Sequence, residues 1–481
     1  MAISVITQPK ILAPVNKELW YQISDSVSYT KTNYKYIYKV NYKAEPFSTA
    51  FKATGTYKVP PNPSGQAVFS PHKILKSYFK PFVNPFVGAV GSSMAYLGID
   101  NALIRYNITY GAEYNPNISF TTTSNNAGKL QINFTTPANA LVVGDIITIE
   151  KANKQVNISY DGTASITQVV SSLSYKTDKT YGISSTNENG AITNVLRYQA
   201  GSVDRDCYNG TRQYTERATD FDLVYTLVNA SRKFMTNYTG SKKIQVNDYE
   251  TLSAMLSSTA TGTNLIYITW KVGNTTNTLF IPFTGNAYRR VDLGVGPANL
   301  LGLSFTSYPV LSSIVNCTSY TVQIFRLTGS GVYTPQSEQK TYVIDSTCSP
   351  YIKKRVCFLN RVGGYDYFNF TMDSKRTVSI KRDEYSKTLD WNYNIGDRGA
   401  TVFAMDVDEV FYMNTNWITE KECAWLEELL TSPDVYLIEG TNKIPIVILD
   451  SKYESKTAMR DRIFNLTVNY KLANKMNIQN D

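Results

Sequence analysis

Cys357-Phe-Leu-Asn-Arg-Val-Gly-Gly-Tyr-Asp-Tyr-Phe-Asn-Phe370 and Asn416-Trp-Ile-Thr-Glu-Lys-Glu-Cys-Ala-Trp-Leu-Glu-Glu-Leu-Leu430 are the runs in which turn residues, helix caps and strand alternation agree on one compact unit. In the first, Arg355 to Asn360 reads as the end of a strand. Gly363-Gly364 then requires a positive φ or a close backbone approach, and Tyr365 to Phe370 resumes an extended run. In the second, Thr419 is an N-cap and Glu422, three residues on, completes a capping box. Ile418 and Cys423 form a hydrophobic staple across it. Trp425, Leu426, Leu429 and Leu430 make one apolar face, with Glu427 and Glu428 expected outside. Ser432-Pro433 stops the helix. Strands follow at Val435–Glu439, Ile444–Asp450 and Ile463–Lys471, with Pro445 expected at an edge or early in its strand.

Working outward, 481 residues are too many for one ordinary core, so about two to four domains are expected. The chain holds 36 Tyr and 20 Phe but only 18% charged residues, a mixture that suits half-buried pleated surfaces. The fold class expected is mainly β: several β-sandwich or barrel-like domains in series, closed by a small α+β unit. The expected divisions are a β-rich N-terminal domain over 1–115, a small inserted β-barrel over 116–185, a second β-rich domain over 186–350, and the α+β unit over 351–481 with its helix at 419–431.

Local patterns support this. From Tyr34 to Lys43, Tyr34, Tyr36, Tyr38, Val40 and Tyr42 share one face, the period of a strand with a packed side. Ser70-Pro71 opens a short helix, with Ser70 as its cap. Leu130–Phe134, Ile146–Ile149, Val156–Tyr160 and Ser165–Val170 read as strands of the insert, with Gly144 and Asp161-Gly162 turning them. Asp222–Ala230 reads as a strand and Asn247–Leu256 as a helix. Asn264–Val272 and Thr278–Phe283 read as a strand pair. Asp292–Leu300 has glycines but no phosphate-binding lysine, so it reads as a loop.

No pattern singles out a reaction, so no catalytic residue is assigned. His72 is the only histidine, and none of the five cysteines forms a CxxC pair, which argues against zinc. No cofactor or metal is expected. Asp406-Val-Asp-Glu409 lacks the spacing of a calcium loop. The charge of +9 is scattered, without a basic stripe; it permits passing contact with DNA but does not mark a dedicated nucleic-acid binder. No apolar run suggests membrane insertion, and the first residues do not read as a signal peptide. Phe82-Val-Asn-Pro-Phe-Val-Gly-Ala-Val-Gly91 is apolar and punctuated by Pro and Gly, and reads as a packing arm for a neighbouring subunit. The interface candidates are Phe82, Val83, Phe86, Val87, Trp417 and Trp425.

Three runs, Phe358 to Phe368, Trp417 to Pro433 and Arg460 to Tyr470, resemble the C-terminal region of tail structural proteins of crAss-like and related Bacteroidetes phages. Tyr208-Asn-Gly-Thr-Arg-Gln-Tyr214 and Gly294-Val-Gly-Pro-Ala-Asn-Leu300 also fit that group. The resemblance implies a non-enzymatic virion protein of a short-tailed phage (a podovirus). It would build a tail hub or ring as a symmetric homo-oligomer in contact with other tail proteins, and be assembled in the host cytoplasm. The alternative is a receptor- or glycan-binding tail adhesin.

Overall fold

The computed structural model describes residues 3–17, 19–25, 29–44, 50–80, 82–86, 89–90, 93–94, 96–98, 102–116, 118–137, 141–151, 160–182, 189–199, 201–211, 220–257, 262–283, 289–304, 308–347, 349–450 and 463–474. Val87, Cys348, the expected strand residues 156–159 and the run 212–214 lie outside them. The protein is mainly β, 53% strand and 10% helix, in several sheets. It divides into two compact units, residues 1–80 with 100–209, and residues 81–99 with 210–481.

The first unit is built on a twelve-stranded sheet. Its spine is Leu103–Tyr114, which pairs antiparallel with Lys35–Ala44 from Ile104↔Ala44 to Glu113↔Lys35. The tyrosine face read from the sequence is the packed one: Tyr34, Tyr36, Tyr38 and Val40 are buried and Tyr42 is half-buried. Tyrosine rings supply apolar area to this core, and three of the hydroxyls on this face reach acceptors. Tyr34 donates to Asp25 Oδ2 at 3.0 Å, Tyr36 to the Gly65 carbonyl at 2.5 Å, and Tyr38 to the Ala67 carbonyl at 3.0 Å. Burial pushes the Tyr114 phenol up to about 12.

Strands of the 116–185 segment continue this sheet, in which Ile146–Lys151 pairs with Gly190–Tyr198. Buried Asp145 accepts both Nε and Nη2 of Arg197 at 2.6 Å, pinning the turn at Gly144 to the same strand. The short helix is His72–Lys76, one residue later than the Ser-Pro reading places it. Pro71 is its N-cap, and the Ser70 hydroxyl is taken by the Leu19 N–H at 2.7 Å and His72 Nδ1 at 2.9 Å.

The second unit corrects three local readings. Asp222–Ala230 is not one strand: Phe221–Tyr225 is helical, because the Asp220 side chain caps it by accepting from Asp222 N–H, and only Thr226–Leu227 is extended. Thr251–Leu256, expected as helix, is a strand buried at every residue and paired with Arg290–Gly294. Burial on both faces leaves no alternation to read, and pairing overrides the local helical preference. Asp292–Leu300, expected as loop, ends that partner strand and opens the helix Pro297–Ser304, with proline at its first position.

The C-terminal part is one seven-stranded sheet. In chain order its elements are β1 (Lys354–Leu359), β2 (Tyr365–Phe370), β3 (Ser374–Ser386), β4 (Ala400–Asn414), helix α1 (Glu420–Thr431), β5 (Val435–Glu439), β6 (Asn442–Ile448) and β7 (Thr467–Leu472). The strand order is β2-β1-β5-β6-β7-β4-β3. Both halves of the Gly-Gly requirement appear: Gly363 has φ +86°, and a Cβ on Gly364 would run into the Met235 carbonyl. Thr419 and Glu422 form the reciprocal capping box of α1. Trp425, Leu426 and Leu429 pack with Val356, Phe358, Met413 and Val468 into the core under the helix. Pro445 sits in a strand flanked on both sides, but β7 pairs only from Ile446 on, so the missing N–H falls at the start of that ladder.

Candidate functional site

The β3–β4 hairpin is the feature of this sheet that lacks a sequence forecast. β4 pairs with β7 only over Phe411–Asn414. From Ala400 to Val410 its other side meets no strand among the described residues, while β3 follows it from Ser374↔Met413 to Ser386↔Ala400. The projecting eleven residues, at about 3.4 Å each, make a two-stranded ribbon about 37 Å long. Every residue of β3 is exposed. The tip carries Trp391 at 95% and Ile395 at 105% of full exposure, with Tyr393 also exposed. A lone hairpin of this kind is marginal in water, and bare aromatic residues at its end gain nothing from solvent.

The ribbon has two unlike faces, because directly opposed residues of an antiparallel pair lie on the same side. Ile380 faces Val407 and Arg382 faces Met405, on the side that leads down to Phe411 and Met413 at the core. Arg376 and Glu409 form an ion pair on that side. The other side carries Lys381 opposite Asp406 and Ser379 opposite Asp408. A bulge between Asp383 and Glu384 shifts the register near the tip, where the Tyr385 and Phe403 rings lie 6.1 Å apart.

At the root of the ribbon, Trp425 is sealed in. Its ring lies 4.8 Å from Tyr238 and 5.5 Å from Phe358, and its Nε1 donates to Asp366 Oδ2 at 3.0 Å. Lys242 points its ammonium at the rings of Trp425, Tyr367 and Tyr238, at 5.5, 5.8 and 6.0 Å, and pairs with Glu250 at 2.6 Å. A cavity of about 90 Å³ opens beside them, rimmed by Asn416, Lys243, Asp345 and Trp417, which is 68% exposed. Glu250 also accepts Arg355 Nη2 at 3.0 Å, and Asp248 accepts Arg355 Nη1 at 3.2 Å, Asn369 at 2.6 Å and the Lys353 ammonium. Burial alone would raise the Asp248 carboxyl, but Arg355 and Lys353 beside it hold it below its usual value.

The interface candidates fall into different places. Val83 is fully buried with Cys357, Leu359, Tyr365 and Tyr367, so it is core and not arm. Phe86 packs on the same cluster and meets the Tyr249 ring edge-on at 5.0 Å. The backbone around them is stitched down: Lys443 donates to the Val83 carbonyl at 2.8 Å and Asn299 to the Pro85 carbonyl at 2.9 Å. Val83 and Phe86 find their partners within their own unit, so at these two positions the run is packed core and not a free arm. Phe82 stays exposed beneath Lys443, as does Trp417, whereas Trp425 is interior. Glu428, expected outside, is buried; it accepts from Asn237 at 2.7 Å and from the Arg361 N–H at 3.0 Å, and burial raises its carboxyl. Cys357 is a free buried thiol. Among the described residues no three acidic, His or Cys side chains gather as a metal site, and no helix is long and apolar enough to cross a membrane.

No protein-family model matches the chain, and no curated protein matches it. Among solved structures, trypsin-activated alpha-2-macroglobulin from Escherichia coli aligns at 7% identity over 93% of this chain and 35% of its own, with a TM-score of 0.14. The FN1–FN3 domains of chicken CNTN1 align at 9% identity over 72% of this chain and 98% of theirs, with a TM-score of 0.13. The chain thus spans about a third of the macroglobulin's length, and likenesses at these TM-scores carry no argument about what it does.

Proposed function

We propose that this chain is a structural subunit of a virion, a non-enzymatic component of the tail hub or a tail ring of a short-tailed phage, assembled from symmetric copies alongside other tail proteins. The observation that carries the assembly part is the β3–β4 ribbon, whose tip leaves Trp391, Tyr393 and Ile395 exposed. The phage part rests on the resemblance of the 358–368, 417–433 and 460–470 runs. A subunit of a cyclic assembly needs a projecting element and a matching receiver on the next copy, so that contacts close by rotation.

A second reading, a glycan-binding tail adhesin, is favoured by exposed Trp417 at the rim of a cleft with Asn416, Asp345 and Lys243. Size-exclusion chromatography with light scattering on the full chain separates the two. A concentration-dependent oligomer supports the first. A strict monomer at high concentration that binds host polysaccharide, and loses that binding on Trp417→Ala, supports the second and ends the first. Antibody against residues 417–433 labelling the tail in images of virions tests the location directly.

A further inference from the structure

We infer that the side of the β3–β4 ribbon bearing Ile380, Val407 and Met405 docks on a second copy of this chain, while the side bearing Lys381, Asp406, Ser379 and Asp408 stays in water. The identity of the partner rests on the proposed assembly of symmetric copies; the choice of face does not. Three observations select the face. Ile380 and Val407 stand directly opposite each other, the cross-strand pairing that makes a sheet face sticky. The same side leads, past the Arg376–Glu409 ion pair, to Phe411 and Met413, so it is the core-facing side of the sheet extended beyond its short ladder with β7. The opposite side sets Ser379 against Asp408, Lys381 against Asp406 and Asp383 against Ala404, with no pair of large apolar side chains among them.

The area is adequate. Two strands with their side chains present a face roughly 10 Å wide over about 37 Å, or about 370 Å² on the arm and as much on its receiver. Trp391, Tyr393 and Ile395 stand beyond that face at the tip, and burying such side chains brings the contact to roughly 1,200 Å², the lower bound of a specific interface. In a closed ring each copy gives one arm and receives one, so every ribbon is covered.

The test uses the full chain and sedimentation equilibrium. Ile380→Asp with Val407→Asp should weaken self-association at least 100-fold, while Lys381→Ser with Asp406→Ser on the other side should change it less than 3-fold. Replacing residues 377–410 by an Asn-Gly turn should give a monomer whose melting temperature matches that of the parent, since the body does not need the ribbon. If the parent oligomerises and the Asp pair leaves it intact, or if the Lys381/Asp406 pair is the damaging one, the choice of face is wrong and the assembly reading survives. If the parent is monomeric throughout, the assembly reading itself fails.

Discussion

Removing the Arg355 guanidinium should destabilise the second unit more than any other single loss of charge in it. Arg355 lies between Asp248 and Glu250, with Nε and Nη2 also donating to the Tyr249 carbonyl at 3.0 and 2.7 Å. Arg355→Met roughly keeps the volume but takes one cation away from two buried carboxylates. Breaking a buried pair from one side costs about 3–5 kcal/mol. Lys353 and Asn369 still serve Asp248 and Lys242 still serves Glu250, so the lower end, about 3 kcal/mol, is the expected figure. For a unit of this size that lowers the melting temperature by roughly 5 °C. The pH dependence adds an independent reading. Asp248 is depressed in the folded state, so its contribution is present above its unfolded value near 4 and is lost as pH falls through the lower folded value. In Arg355→Met that acid-side loss should flatten. The assay is calorimetry between pH 3 and 7. A drop of less than 2 °C at pH 7, or an unchanged acid slope, would refute the account of this network.

Two other outcomes are open to quick measurement. Gly364→Ala drives a methyl into the Met235 carbonyl, a backbone atom that cannot step aside, so the variant should lose at least about 2 kcal/mol in urea unfolding or fail to accumulate. Alkylation of the native protein at pH 8, read site by site by mass spectrometry, should modify half-buried Cys423 well before Cys207, Cys317 and Cys357, whose thiols burial pushes upward, that of Cys317 to about 11. Rapid labelling of Cys357 would show that its core opens.

What the sequence made legible was local and one-sided. The α1 helix could be placed because its cap, its apolar face and its stop all lie between Thr419 and Pro433 and act without distant partners. The tyrosine strand could be read because one face packs and the other is less covered. Thr251–Leu256 was misread for the opposite reason: with both faces buried, nothing in its pattern separates strand from helix. Glu428 deceived because its partners, Asn237 and Arg361, are far away in sequence. Val83 read as a sticky surface because its pocket is assembled from strands some 270 residues later. The ribbon escaped notice because alternating charge and apolar residues look like any half-buried strand pair; only the short overlap with β7 reveals that most of it has no sheet beneath it.

That overlap also governs when the ribbon acquires its direction during synthesis. The strand order β2-β1-β5-β6-β7-β4-β3 means the hairpin is made early but reaches the rest of the sheet only through β7, whose residues emerge more than fifty positions later. Until β7 slots between β4 and β6, the hairpin is tethered by chain connection alone and can swing. Once β7 is in place, two ladders clamp it. The ribbon therefore takes its final direction only after the centre of its own sheet is filled.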